Sequence, residues 1–122
     1  MSLLFTTPFA ARALRCLTVP ALWLAAGLCG TAAHAANEAA QMALGKKLFT
    51  TTTPACALCH TLKDAGSEGA VGPVFDELQP DAARVSKALH DGLGAMPSFK
   101  GTLTEEQIAA LALYVSRASR LP

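Results

Sequence analysis

Cys56-Ala57-Leu58-Cys59-His60 is the stretch on which the reading of this 122-residue chain turns. Two thiols three positions apart, followed at once by an imidazole, form the c-type haem attachment pattern. The spacing has a physical logic. Each thiol can form a thioether to one of two neighbouring vinyl groups on a single porphyrin, and His60 is then carried under the macrocycle, where a ring nitrogen reaches the iron. Competing uses of the same residues fit less well. A thioredoxin-like dithiol expects strands in a βαβ setting, and no stretch of five or more residues alternates apolar and polar. A zinc site needs four ligands, and His60 and His90 lack the paired-histidine spacing. A plain disulfide leaves His60 without a purpose.

Upstream, residues 1–35 differ from everything that follows. They contain 23 hydrophobic residues, Arg12, Arg15, the only Trp (Trp23) and no acidic residue. A positive start, an uncharged run from Cys16 to Gly30, and Ala33-His34-Ala35 at its end read as an export signal, with the mature chain starting at Ala36. Retention of the leader as a membrane anchor is the alternative; Pro20, Gly27 and Gly30 weaken a spanning helix. Export implies a periplasmic protein whose only link to a membrane would be an uncleaved leader. Cys16 and Cys29 leave with the leader, so Cys56 and Cys59 stand alone in an oxidising compartment, too few for a disulfide scaffold.

Residues 36–122 carry 8 basic and 9 acidic side chains, formally −1. That balance excludes a basic nucleic-acid binder, and 87 residues support one small domain. Of its 40 hydrophobic residues 16 are alanine, which leaves little bulk for a core. Helix formers fill Glu38 to Phe49, ended by Thr50-Thr51-Thr52-Thr53 and Pro54. Gly66, Gly69, Gly72 and Pro73 mark Thr61 to Glu77 as loop. Asp81 is placed to cap a short helix through Val85 and Leu89 that closes at Gly92. Thr104 with Gln107 fits a capping box, ahead of a helix with Ile108, Leu111 and Val115 on one face and Tyr114 beside them. The expectation is all-α: three to four helices wrapped around one covalently attached haem, which supplies the missing core.

An iron held by His60 has a second axial position. Met42, His90 and Met96 are the candidates. Met42 lies on the first helix, where methionine is commonly core filler, and His90 sits near the end of the second. Met96, 36 residues beyond His60 in Gly94-Ala95-Met96-Pro97-Ser98-Phe99, lies on a proline-stiffened loop able to reach the opposite haem face. It is the expected ligand, and a Met/His pair raises the reduction potential.

Across residues 38–119 the chain resembles the class I monohaem cytochromes c. Gly45 and Phe49 in the first helix, with Tyr114 in the last, resemble that family's glycine–aromatic contact between terminal helices. The resemblance of Gly72-Pro73 implies that the Pro73 carbonyl accepts a hydrogen bond from the proximal imidazole. A narrower likeness joins Gly45-Lys46-Lys47-Leu48-Phe49-Thr50, Pro54-Ala55, the haem motif through Thr61-Leu62, Asp64-Ala65-Gly66, Val71-Gly72-Pro73, Asp76-Glu77-Leu78 with Pro80, and Met96-Pro97-Ser98-Phe99. Together these are similar to the cytochrome c subunits that accompany bacterial molybdenum sulfite dehydrogenases of the SorU type. The implied function is single-electron transfer from a dehydrogenase towards a terminal oxidase or another cytochrome, with no catalytic residues of its own. The alternatives are a general cytochrome shuttle, a haem peroxidase, or a ligand-binding haem sensor with an open sixth site.

Overall fold

The computed structural model describes residues 19–122, with side chains from residue 33 onward. Arg12, Arg15 and Cys16 of the expected leader lie outside the described residues, as do the side chains of Trp23 and Cys29. The chain divides into Met1–His34 and Ala35–Pro122, and the second unit holds every candidate site residue. Among the described residues no helix is long and apolar enough to cross a membrane.

Helix α1 spans Val19–Thr51. It starts far ahead of the expected Glu38, because the alanine- and leucine-rich residues before Glu38 are themselves strong helix formers. Its end falls where the threonines predicted it. The hydroxyls of Thr50 and Thr51 both donate to the Lys47 carbonyl and that of Thr52 to Leu48, occupying carbonyls left without amide partners at the helix end. Pro54, with no N–H to offer, follows.

The expected loop after the haem motif holds more order than its glycines suggest. Strands β1 (Thr61–Leu62) and β2 (Ser67–Glu68) pair antiparallel, with Thr61 opposite Glu68 and Leu62 opposite Ser67. Two residues per strand are too few to show a period of two, so the hairpin left no pattern in the sequence. One turn of helix, α2 (Phe75–Leu78), follows.

Helices α3 (Ala82–Asp91) and α4 (Glu105–Ala118) start where their caps foretold. The Asp81 carboxylate accepts from the Arg84 amide at 2.7 Å. Thr104 and Gln107 form the reciprocal box, the Gln107 amide donating to Thr104 Oγ1 at 3.2 Å and the Thr104 amide to Gln107 Oε1 at 2.9 Å. Val85 and Leu89 of α3 face inward.

The core lies where the C-terminal part of α1 meets α4. Phe49, Ile108, Leu111 and Tyr114 are all but fully buried. Gly45 makes this crossing possible, since a Cβ there would overlap the Ala110 carbonyl oxygen and Tyr114 Cβ. Phe49 meets the Tyr114 ring edge-on at 6.0 Å and the Phe75 ring at 6.2 Å, a favoured arrangement for aromatic pairs. The Tyr114 hydroxyl donates to Asp64 Oδ2 at 2.7 Å, and Lys46 approaches the same oxygen at 3.0 Å. Burial, then the carboxylate beside it, pushes the tyrosine hydroxyl well above its ordinary pKa. The same hydrogen bond, with help from Lys46, holds Asp64 below the usual carboxylate value.

Candidate functional site: a one-sided haem cradle

Ala55 leads into a single 3-10 turn, Cys56–Leu58, with Cys59 closing it. A 3-10 helix has three residues per turn, so residues i and i+3 eclipse. Cys56 and Cys59 thus stand one turn apart, while Leu58 between them is 70% exposed. Both cysteines are unpaired thiols. Burial pushes the Cys56 thiol above its ordinary pKa, and nearby Cys59 adds to the shift. A redox-active dithiol needs the opposite, a thiolate stabilised at neutral pH. The thioredoxin-like reading thus lacks both its fold and its activated sulfur.

The Cys56 carbonyl accepts from the amides of Cys59 and His60, at 3.1 and 2.9 Å, and closes the turn. The His60 ring is buried and stacks on Phe75, with centroids 4.3 Å apart and planes 12° from parallel. His60 Nδ1 lies 3.1 Å from the Pro73 carbonyl oxygen. A carbonyl only accepts, so Nδ1 is the donor, and in the neutral ring Nε2 keeps its lone pair. That is the tautomer a metal-binding imidazole requires, with its orientation fixed from behind. The Gly72-Pro73 segment is held in turn by the amides of Val71 and Gly72, which both donate to the Cys59 carbonyl at 3.1 and 2.7 Å. Gly72 has to be glycine for a steric reason: a Cβ there would land on the His60 ring.

The second loop is pinned to α3. Leu93 and Met96 exchange backbone hydrogen bonds at 3.0 Å in both directions, and the Phe99 amide donates to the Leu89 carbonyl at 2.7 Å. The Ser98 hydroxyl donates to the His90 carbonyl. Phe99 anchors the loop in the core.

Between the two loops lies a cavity of about 750 Å³ whose wall includes Cys59, His60, Pro73, Phe75 and Met96. Volumes of roughly 300–1,000 Å³ suit a cofactor. Val71 and Leu93 on this wall are 75% and 72% exposed, apolar surface that a large flat apolar group would cover. The residues present therefore fit a haem: two thiols on one turn, an imidazole with a free Nε2, and a thioether across a mostly apolar space.

Four of the five expected site residues, Cys59, His60, Pro73 and Met96, line this one cavity. Cys56 does not; its sulfur sits 3.8 Å from Thr52 Oγ1, one turn behind Cys59. The rival candidates for the second axial position lie elsewhere. Met42 packs against the core cluster. His90 is engaged on both nitrogens, Nδ1 with the Ser86 carbonyl at 2.8 Å and Nε2 with Glu105 at 2.9 Å. Phe75 escaped sequence reasoning, although its stack on His60 completes the proximal wall. An aromatic residue two positions after the Gly-Pro pair was the available signal.

Comparison with known proteins agrees with this geometry. The family described as cytochrome c oxidase, cbb3-type, subunit III matches residues 40–115. The cytochromes c6 of Tetradesmus obliquus and Leptolyngbya boryana are 33% identical over 87 residues and 35% identical over 80. Each match covers 62% of this chain, with 89% and 91% of the respective relative. The crystal structure of the c-type cytochrome SorU from Sinorhizobium meliloti is similar at 51% identity and a TM-score of 0.63, covering 65% of this chain and 91% of that one. The chain belongs to this cytochrome c family, as a monohaem c-type cytochrome with covalently bound haem c whose work is electron transfer.

Proposed function

We propose that this protein is a periplasmic carrier of single electrons that receives them from a molybdenum sulfite dehydrogenase and passes them towards a terminal oxidase or another cytochrome. Cys56 and Cys59 form the two thioethers to haem c. His60 Nε2 and Met96 Sδ would hold its iron, and Pro73 orients the imidazole. The observation that carries this assignment is the pairing of a tautomerically fixed His60 with Met96 on one cavity wall. Bound there, haem supplies an iron that takes up and releases one electron. The chain's residues do the rest. Pro73 keeps the Nδ1 proton in place, Phe75 fixes the ring plane, and the loop of Leu93 and Met96 holds the thioether ready.

An iron held by both His60 and Met96 would leave no place for oxygen or peroxide to bind, which disfavours the peroxidase and sensor readings. Export through residues 1–35, with cleavage after Ala35, is supported by the positive start, the uncharged run and the small residues at that point. The sulfite dehydrogenase partner is supported by the shared segments that resemble the cytochrome subunits of that enzyme type and by the 51% identity to SorU. Oxidation of sulfite to sulfate releases two electrons, so each turnover would reduce two copies of the cytochrome.

Stopped-flow mixing of the oxidised protein with a molybdenum sulfite dehydrogenase and sulfite tests the partner. Haem reduction as fast as enzyme turnover is expected. Slow reduction that is no faster with the enzyme than with sulfite alone would reject this donor and leave the carrier assignment standing.

A further inference from the structure

His90 stands at the foot of the loop that carries Met96. Helix α3 ends at Asp91 and α4 begins at Glu105, and one side chain ties the two ends of the segment between them. His90 Nε2 lies 2.9 Å from Glu105 Oε2, 15 positions on, while Nδ1 lies 2.8 Å from the Ser86 carbonyl oxygen. The loop itself rests on the same last turn of α3. The Ser98 hydroxyl donates to the His90 carbonyl, and the Phe99 amide donates to that of Leu89 at 2.7 Å. At Gly92, where φ is +73°, a Cβ would stand 2.8 Å from the Met96 carbonyl oxygen, so the two backbones touch. A carbonyl and a carboxylate both only accept, so His90 satisfies the two together only when it carries both ring protons. Neutral imidazole has one N–H and must give up one of them. The charges facing the ring are Glu105 from α4 and Asp91 from its own helix. Asp91 is paired with Lys87 at 2.6 Å, and Lys100 on the loop acts on Asp91 rather than on the ring. The C-terminal end of α3 also favours a cation. The ring is 28% exposed, so its proton exchanges with solvent.

We propose that His90 and Glu105 form a proton-dependent clasp at the foot of the Met96 loop, and that this clasp couples the reduction potential of the bound haem to pH. This rests on Met96 holding the haem iron. With both ring protons in place the clasp ties the loop at its two ends, removing chain freedom that it would otherwise have. Loss of one proton releases a contact and frees the loop to carry Met96 away from the iron. A methionine ligand raises the potential, so a loosened loop lowers it. Charge acts in the same direction. A cation on His90 favours the ferrous state, which has one positive charge fewer than the ferric. Linkage makes the effect mutual: His90 binds its second proton, drawn from solvent, more tightly in the reduced protein, and that proton raises the potential. The potential is therefore higher at low pH and falls as pH rises through the His90 titration, which lies above the ordinary value of about 6.5. His90 is a positioning residue: it acts through the loop and the local field, and it does not bind the iron.

Midpoint potentials of the haem-loaded protein from about pH 5 to 9 test this, together with the far-red Met–iron absorption and a proton NMR titration of His90. The wild-type midpoint is expected to fall across the His90 titration, and azide binding to the ferric protein to quicken over the same range. His90 should titrate at higher pH in the ferrous protein than in the ferric. His90→Gln, which cannot titrate, loses the step in potential. Glu105→Gln moves the step to lower pH, whereas Glu106→Gln, which removes the same charge one residue further along α4, leaves it in place. A step of wild-type size in His90→Gln overturns the proposal, as does an equal displacement by Glu105→Gln and Glu106→Gln. Should these variants fail to fold, the wild-type NMR decides: the same His90 pKa in both oxidation states overturns the coupling. A ferric protein without the far-red band at any pH is a different failure; it overturns the reading that Met96 holds the iron, and the proposal with it.

Discussion

Replacing Phe49 by Ala removes the side chain that joins the core to the site. Phe49 is 0% exposed and meets two aromatic rings edge-on, Tyr114 on α4 and Phe75 on α2. Truncating a buried phenylalanine to alanine costs about 3–5 kcal/mol, including the cavity it leaves. Each aromatic pair lost accounts for about 0.5–1.5 kcal/mol of such a total, so the upper half of the range applies, near 4 kcal/mol. With a guanidinium m-value of about 3 kcal/mol/M for a small domain, the unfolding midpoint should fall by roughly 1.3 M. The assay is guanidinium titration of the haem-loaded protein, followed by far-ultraviolet circular dichroism and by the Soret band. Phe75 loses its support in the variant, and His60 stacks on Phe75 at 4.3 Å. The ferric protein should therefore also bind added imidazole or azide more readily than wild type. Phe49→Leu fills most of the space and should cost about 1.5 kcal/mol or less. A midpoint shift in Phe49→Ala below roughly 0.3 M, under about 1 kcal/mol, would refute the claim that this ring links core and site.

Three further outcomes follow from the same contacts. Gly72→Ala places a methyl on the His60 ring; the variant should show a perturbed axial-ligand spectrum and lowered haem retention, and a wild-type spectrum would count against the close approach. Asp64→Asn weakens the bonds to Tyr114 and Lys46 and should cost about 1–2 kcal/mol at pH 7 by denaturant titration. Because Asp64 is held below the usual carboxylate value, its contribution is complete above that value, and wild type and variant should converge as pH falls through the lowered pKa. His90, with both ring nitrogens facing acceptors at Ser86 and Glu105, has its pKa raised, first by the Ser86 carbonyl and then by Glu105. Its stabilising effect relative to His90→Gln should be full below the ordinary histidine value of about 6.5 and vanish as pH rises through the folded-state pKa. A thermal-unfolding difference that grows with pH would contradict this.

The parts of the fold that sequence revealed are those whose determinants are local. Thr104 and Gln107 satisfy each other across three residues, and Asp81 caps α3 by the same short-range chemistry, so both helix starts could be read directly. The threonine run fixed the end of α1 because its hydroxyls reach carbonyls three and four residues back. The β1–β2 hairpin was missed because two-residue strands have no period. Helix α1 reaches well ahead of Glu38 because the apolar, alanine-rich residues there form helix as well as they form a leader. At the site, Cys56, Cys59 and His60 were legible because one short motif contains them. The choice of Met96 over Met42 and His90 rested on loop chemistry in the sequence and gained its weight from the cavity. Phe75 carries no motif. Its role depends on which residues the fold brings to one wall, and that is long-range information.

The ferric absorption spectrum at neutral pH, recorded for wild type and Met96→Ala, tests the central assignment most directly. The account predicts a weak far-red band from a methionine–iron bond in the wild-type protein and its loss in Met96→Ala, with a lower potential and an iron open to added ligands. A wild-type ferric protein that is high-spin and binds azide at once, or a Met96→Ala variant with an unchanged spectrum, would contradict it.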